Sequence, residues 1–408
     1  MNGSWGNFYR YGMIAGTCGL AGLFGAWAIY ALLIAIAAAT LVLIGMRARP
    51  WLTTDLATKL FAAAFGFYAL SFIVSAREVQ DALFILNYLP FLLFAPLAKI
   101  MHGGARAGNN WRFALAALGG TILLALWASY QKYGLGTRRP EGLEIDTIAY
   151  AHTALTLGLI SGVGVFASDA KWRWLFLLGP VLGIAVTLMT ESRGPLLAAP
   201  VLLLVVLIAW TRRPVASILA SAGIAAVSLA TIWALSPSTF LRIETIIGNL
   251  SELLDSGAVS ESSSRQRIEM YLAGWRAFLD SPWFGHGWEQ KFSAITPYLD
   301  QGSRVLNAGH HHLHSDPVDV AVTNGVSGLI GYGLVLLAPF AGAVASPRDS
   351  QYVSRVTIAA LLGAGYAIFG LTYLLFGYEY HTTLYVVLAA IAIGFCRDPG
   401  SDQKMRKT

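Results

Sequence analysis

The chain reads as an all-α polytopic membrane protein of about 12 transmembrane helices, with one large outer loop that carries amphipathic helices. Three observations predict this. The mean hydropathy is +0.59, with 56% hydrophobic and only 12% charged residues, outside the range of a water-soluble domain. Apolar runs of about 20 residues recur, each long enough to cross ~30 Å of hydrocarbon. The basic residues also segregate by loop, as the positive-inside rule requires.

The expected spans lie near 11–26, 28–46, 56–75, 82–99, 112–131, 147–167, 174–190, 195–210, 215–235, 317–341, 356–376 and 382–396. Residues 11–46 as a single helix would run to ~54 Å at ~1.5 Å per residue, so a tight turn near Gly25 is expected to divide them. The first apolar run lacks a short apolar core followed by small cleavage-site residues, and is expected to stay as a helix.

An even number of spans puts both termini on one face. That face holds 17 of the 28 Lys and Arg but five of the 22 Asp and Glu. Positive residues mark the cytoplasm, so both termini are expected inside and the acid-rich face outside. The net charge of +6 then follows from topology and is no sign of a nucleic-acid partner. Cys18 falls within a span and Cys396 at the inner edge, so no disulfide is expected. The chain thus divides into nine spans over 1–236, an outer loop over 237–316, three spans over 317–396 and an inner tail over 397–408.

The outer loop carries helical periodicity. Phe240, Ile243, Ile246, Ile247, Leu250 and Leu254 form one apolar set; Ile268, Tyr271, Leu272, Trp275, Phe278 and Leu279 form a second. Ser263 with Gln266 fits a capping box that starts the second helix beside Arg265. Ser-Pro-Trp-Phe-Gly-His-Gly-Trp (281–288) ends it with Pro and Gly breakers. Trp283, Phe284 and Trp288 suit a lid at the membrane interface.

Ionisable groups are scarce, so their crowding is informative. Gly309–Asp319 holds four histidines and two aspartates immediately before an apolar stretch. Asp316 suits the N-cap of the next helix, Pro317 its first position and Asp319 its positive first turn. His314, just ahead of that N-terminus, is disfavoured as imidazolium and thereby kept available as a base.

Three local patterns resemble the O-antigen ligase and polymerase superfamily of bacterial envelope glycosyltransferases. They are Thr-Glu-Ser-Arg-Gly (190–194); an Arg opening a loop helix, followed by Pro-Trp-Phe-Gly-His-Gly (282–287); and His-Leu-His-Ser (312–315), with Asn324-Gly325-Val326-Ser327-Gly328-Leu329 downstream. Ser315 stands where the family usually has Asn. The resemblance implies His314 as the catalytic histidine, Arg193 as the arginine at a helix end and Arg265 as the loop arginine. It implies transfer of a glycan from an undecaprenyl-diphosphate carrier, at the periplasmic face of the inner membrane. One large loop and a short tail favour the ligase branch, with lipid A–core as acceptor; a polymerase of the same superfamily is the alternative.

The chemistry points the same way. Displacing a lipid diphosphate leaves concentrated negative charge, which the planar guanidinium pairs with in bidentate fashion. The acceptor hydroxyl needs a base, and an imidazole with an unperturbed pKa of ~6.5 suits it. With arginines neutralising the leaving group, neither metal nor other cofactor is expected. Substrate contacts are expected from His312, Arg138, Arg139, Arg267, Trp288 and Tyr378, the last in an outer turn with Glu379 and His381. Competing readings are a zinc site built from His310, His312 and His314, and a plain Arg193–Glu191 ion pair. A secondary transporter would place its charges near the midplane, where this chain has almost none.

Overall fold

The computed structural model describes residues 4–45, 55–167, 171–211, 262–299 and 312–399, with the single positions 215, 219, 223, 248 and 304. The described residues are helical and contain no strand, so the fold class expected from composition holds. Helix α1 (Ser4–Ala15) runs on through a π turn to Phe24 and stops at Gly25, whose φ is +52°. A Cβ there would lie 2.6 Å from Ile145 Cγ2 and 2.8 Å from the Glu144 carbonyl carbon, so glycine serves both the turn and the close approach. The division expected near Gly25 is therefore where the chain breaks, and α2 (Ala26–Gly45) follows.

Helices α3 (Leu56–Ser75), α4 (Val79–His102), α5 (Asn109–Gly134), α6 (Thr147–Ala167), α7 (Lys171–Met189) and α8 (Arg193–Thr211) complete the first part. Asp55 starts α3 by accepting from the Thr58 N–H at 3.0 Å. Helix α6 is the axis of the bundle, with 94% of its most apolar window buried. Its Gly158 faces Gly179 and Gly183 of α7, and the missing side chains let the two backbones meet. The loop helix α9 (Ser262–Asp280) precedes α10 (Asp316–Val344), α11 (Tyr352–Gly370) and α12 (Glu379–Phe395). Helix α10 packs along α3, and α11 lies against α8 and α10.

Nine helices among the described residues are long and apolar enough to cross a membrane, three fewer than the 12 expected. The expected span 382–396 is a shorter apolar helix, and 11–26 is interrupted by a π turn. The expected span 215–235 and the amphipathic set from Phe240 to Leu254 lie outside the described residues.

Helix α9 confirms the second amphipathic segment, but with a different buried face. Met270, Ala273 and Ala277 pack with Ile295, Leu299, Leu313 and Val322, whereas Leu272, Trp275 and Leu279 are each more than half exposed. The small residues face protein because Gly274 lies against Val318 of α10, where bulk cannot fit. The large apolar stripe is left on the outside.

Helix α10 is broken at Gly325 (φ +62°, ψ −156°), and the break explains why two distant motifs accompany each other. Orphaned N–H groups of Val326 and Ser327 donate to the carbonyls of Pro282 (2.7 Å) and Trp283 (3.1 Å). Orphaned carbonyls of Val322 and Thr323 accept from His286 (2.8 Å) and Gly287 (3.0 Å). The Pro-Trp-Phe-Gly-His-Gly segment thus satisfies a helix interrupted inside the bundle, where unpaired backbone groups are costly. Gly285 faces the Thr323 and Asn324 backbone directly and has φ +71°.

Candidate active site

The turn from α7 into α8 carries Thr190-Glu191-Ser192-Arg193-Gly194. Glu191 has φ +54°, and its carboxylate lies 3.7 Å from Lys132 Nζ and 3.6 Å from Arg138 Nε. Lys132 also donates to the carbonyls of Arg138 (3.0 Å) and Met189 (3.1 Å), and Arg139 donates to the Thr190 carbonyl at 3.0 Å. A basic cradle from the end of α5 and the 138–139 loop therefore wraps the turn. Glu191 meets Lys132 and Arg138; the side chain of Arg193 lies outside the described residues. Gly194 sits under the segment after α11, where a Cβ would be 2.5 Å from Thr372 Oγ1.

The next residue, Tyr373, leads to the second motif. Its ring is edge-on to His312 at 5.6 Å between centroids, and His312 is edge-on to His314 at 4.2 Å. The backbone N–H of His314 donates to His312 Nδ1 at 3.2 Å, which leaves the proton of a neutral His312 on Nε2. His314 itself has φ +53°, and Tyr271 of α9 donates to its carbonyl at 2.9 Å. Among the described residues, Glu191 and His314 are the non-glycine positions with positive φ. Such backbone costs ~1–3 kcal/mol and persists where the surroundings over-determine it, commonly at functional sites.

The start of α10 shifts by one residue from expectation. Ser315, extended at φ −158°, holds the N-cap position, and Asp316 is already in the first turn. Asp316 turns away from its own helix and accepts from the N–H groups of Leu375 (2.8 Å) and Phe376 (3.2 Å), pinning the segment that carries Tyr373. Asp319 lies in the first turn as expected. Its carboxylate accepts from the Leu313 N–H at 2.9 Å and pairs with Lys291 Nζ at 3.2 Å, both side chains at 3% exposure or less. Burial pushes the Lys291 ammonium down in pKa, and Asp319 pulls it back up.

Lys291 Nζ sits 3.3 Å over the Trp288 ring, whose other stacking partner is Phe84 at 3.9 Å. Trp288, expected as a substrate contact, is 7% exposed, whereas Trp283 is 69% exposed and better suited to the interface. Tyr378 occupies the N-cap position of α12, and its ring lies 6.2 Å from that of His312. Burial raises its phenol to about 12, so it stays a donor at neutral pH.

The fold thus brings His312, His314 and Tyr378 into one cluster, and connects it through Thr372 and Gly194 to the turn held by Arg138 and Arg139. Arg265 lies about 9 Å along α9 before Tyr271, 60% exposed and paired with Glu269 at 2.8 Å. Arg267, one turn before Tyr271, adds positive charge near that phenol. His310 and His311 lie outside the described residues, and no group of three or more His, Cys, Asp or Glu among the described residues is arranged to hold a metal. Sequence reasoning missed Lys132, Tyr271, Lys291 and Tyr373, and with it Asp146, whose carboxylate accepts from the Tyr373 hydroxyl. Only Asp146, a good N-cap before an apolar run, carried a local signal.

Residues 178–333 of this multi-span helical chain match the family described as O-antigen ligase. A curated O-antigen ligase of Escherichia coli (strain K12) is similar at 22% identity over 183 residues. That alignment covers 44% of this chain and 43% of the relative, so the chain spans less than half the length of the protein it matches.

Proposed function

We propose that this chain is an O-antigen ligase of the bacterial inner membrane. It takes a glycan from undecaprenyl diphosphate and attaches it to lipid A–core on the periplasmic face, with 237–316 and the site outside and both termini in the cytoplasm. The observation that carries the proposal is the meeting, at Thr372 and Tyr373, of the Ser-Arg-Gly turn and the His-Leu-His-Ser turn, two motifs about 120 residues apart in the chain.

In this reading, His314 takes the proton from the attacking sugar hydroxyl as its oxygen bonds the anomeric carbon. The bond from that carbon to the phosphate oxygen breaks, and undecaprenyl diphosphate leaves with the electron pair, inverting the anomeric centre. Arg193 and Arg265, with Arg138, Arg139 and Arg267 around them, neutralise the diphosphate. The acceptor sugar is held by His312 and Tyr378, while Trp288 backs Tyr378 from a ring centroid 6.0 Å away.

Purified protein in proteoliposomes, given lipid-linked glycan and lipid A–core, tests this directly. His314→Ala is expected to lose ~10²–10⁴-fold in transfer with donor binding intact. Arg193→Ala and Arg265→Ala lose both transfer and donor binding, and Lys at either position restores only part of it. Chelator leaves the rate unchanged. Wild-type transfer by His314→Ala, or loss in EDTA that Zn²⁺ restores, defeats the mechanism.

A further inference from the structure

Helix α9 is divided lengthwise into three sectors. At ~100° per residue, Met270, Ala273, Gly274 and Ala277 fall on one side and face protein. Arg265, Glu269, Arg276 and Asp280 fall together on a second. Arg265 and Glu269 pair there at 2.8 Å, and Arg276 and Asp280 are exposed. Leu272, Trp275 and Leu279 make the third, each more than half exposed, with half-buried Ile268 in line with them. Trp283, three residues past the helix end, is exposed as well. A helix on a protein in water needs two sectors, an apolar one for the core and a polar one for solvent. A third, of large apolar side chains beside the polar one, has a use where protein, water and hydrocarbon meet.

The level of α9 along the bundle says what that third sector meets. A Cβ on Gly274 would lie 2.7 Å from Val318 Cγ1 and 3.4 Å from Val322 Cγ2, so α9 crosses the first two turns of α10. The 29 residues of α10 reach up to ~43 Å at ~1.5 Å per residue, against ~30 Å of hydrocarbon and ~40–45 Å with the headgroups. The excess length stands in the headgroup layers, and α9 crosses at that level. The apolar surface also continues onto the neighbouring span. Tyr271 donates to the Leu371 carbonyl at 3.3 Å, and Leu371, directly after α11, is more than half exposed.

We propose that α9 is an interfacial helix whose partner is the phospholipid surface. Leu272, Trp275 and Leu279 enter the boundary of the acyl chains, while Arg265 and Arg276 stay among the anionic headgroups. Tyr271 of the same helix donates to the His314 carbonyl at 2.9 Å, so the seating of α9 sets the height of His314 over the hydrocarbon. That last step rests on the reading of His314 as the base.

The test uses the full-length protein in vesicles of phosphatidylethanolamine and phosphatidylglycerol, in a Cys18→Ala, Cys396→Ala background. Single spin labels are attached to Leu272→Cys, Trp275→Cys, Arg276→Cys, Leu279→Cys and Asp280→Cys. Ile330→Cys, exposed on the spanning part of α10, is the lipid reference. Power saturation compares relaxation by oxygen, which concentrates in hydrocarbon, with relaxation by a water-soluble nickel chelate. Labels at 272, 275 and 279 are expected to favour oxygen, as the reference does, and those at 276 and 280 to favour nickel. Nickel access at 272 and 279 equal to that at 276 means that water covers the stripe. Exclusion of both reagents means that protein covers it. Either result overturns the proposal.

Transfer in the same vesicles tests the link to His314. Leu272→Glu with Leu279→Glu is expected to lose ~10-fold or more, since a displacement near ~1 Å of a catalytic group costs up to ~10²-fold. Its Tm in detergent should stay close to that of the wild type, because neither side chain packs in the core. Leu272→Ser with Leu279→Ser serves if the charged variant fails to insert. Unchanged transfer removes the link to His314. A wild type that transfers nothing removes the proposed function, while the spin labels still decide the seating of α9.

Discussion

Gly325→Ala should be the most damaging single methyl group that can be added to α10. The residue has φ +62° and ψ −156°, a region that only glycine occupies without strain, which costs ~1–3 kcal/mol for alanine. The new Cβ would also lie 2.6 Å from Phe284 N, Pro282 O and Trp283 C, all backbone atoms with no rotamer to give way. Moving that segment away loosens the Val326–Pro282 and Ser327–Trp283 hydrogen bonds, each worth ~0.5–1.5 kcal/mol. The sum is about 2–6 kcal/mol, a large share of the ~5–15 kcal/mol that holds a typical domain together. In a thermal melt of detergent-purified protein, we expect Tm to fall by about 5 °C or more. Gly333→Ala is the control: it lies in the same helix with nothing within 4 Å of the added carbon, and should be neutral or slightly stabilising. A Gly325→Ala protein that melts with the wild type would refute the idea that the 282–287 segment repairs the broken helix.

Lys291→Met should destabilise the protein by ~3–5 kcal/mol, because it strands the Asp319 carboxylate at 1% exposure. Adding Asp319→Asn should recover part of that loss, and melts that show the two changes strictly additive would exclude a coupled pair. For orientation, Ser256→Cys is expected to react with an impermeant maleimide from outside spheroplasts, and Ser401→Cys only after permeabilisation. The native Cys18 and Cys396 are buried and should stay silent. Labelling of Ser401→Cys alone in intact spheroplasts would invert the topology and remove the periplasmic site.

Much of the architecture was legible without coordinates, because it depends on short-range rules. Helical spans follow from the need to satisfy every backbone group within hydrocarbon, and the break at Gly25 from a length no bilayer accommodates. The amphipathic helix at 265–279 and the first-turn place of Asp319 follow from periodicity and helix-end electrostatics. The histidine turn was visible because charged and titratable residues are rare in this chain. What sequence could not determine were relations between segments far apart. Gly325 stands in one of the motifs, but nothing local says that its helix opens there, where Pro282 and Trp283 supply the missing carbonyls. The apolar stripe at Leu272, Trp275 and Leu279 has the right period, but periodicity does not say whether protein or lipid covers it; Gly274 against Val318 decided that. Neither Lys291 nor Tyr373 stands in a local pattern that marks it. Their partners, Asp319 and Asp146, lie 28 and 227 residues away, and only chain folding brings opposite charges and complementary edges within reach across such separations.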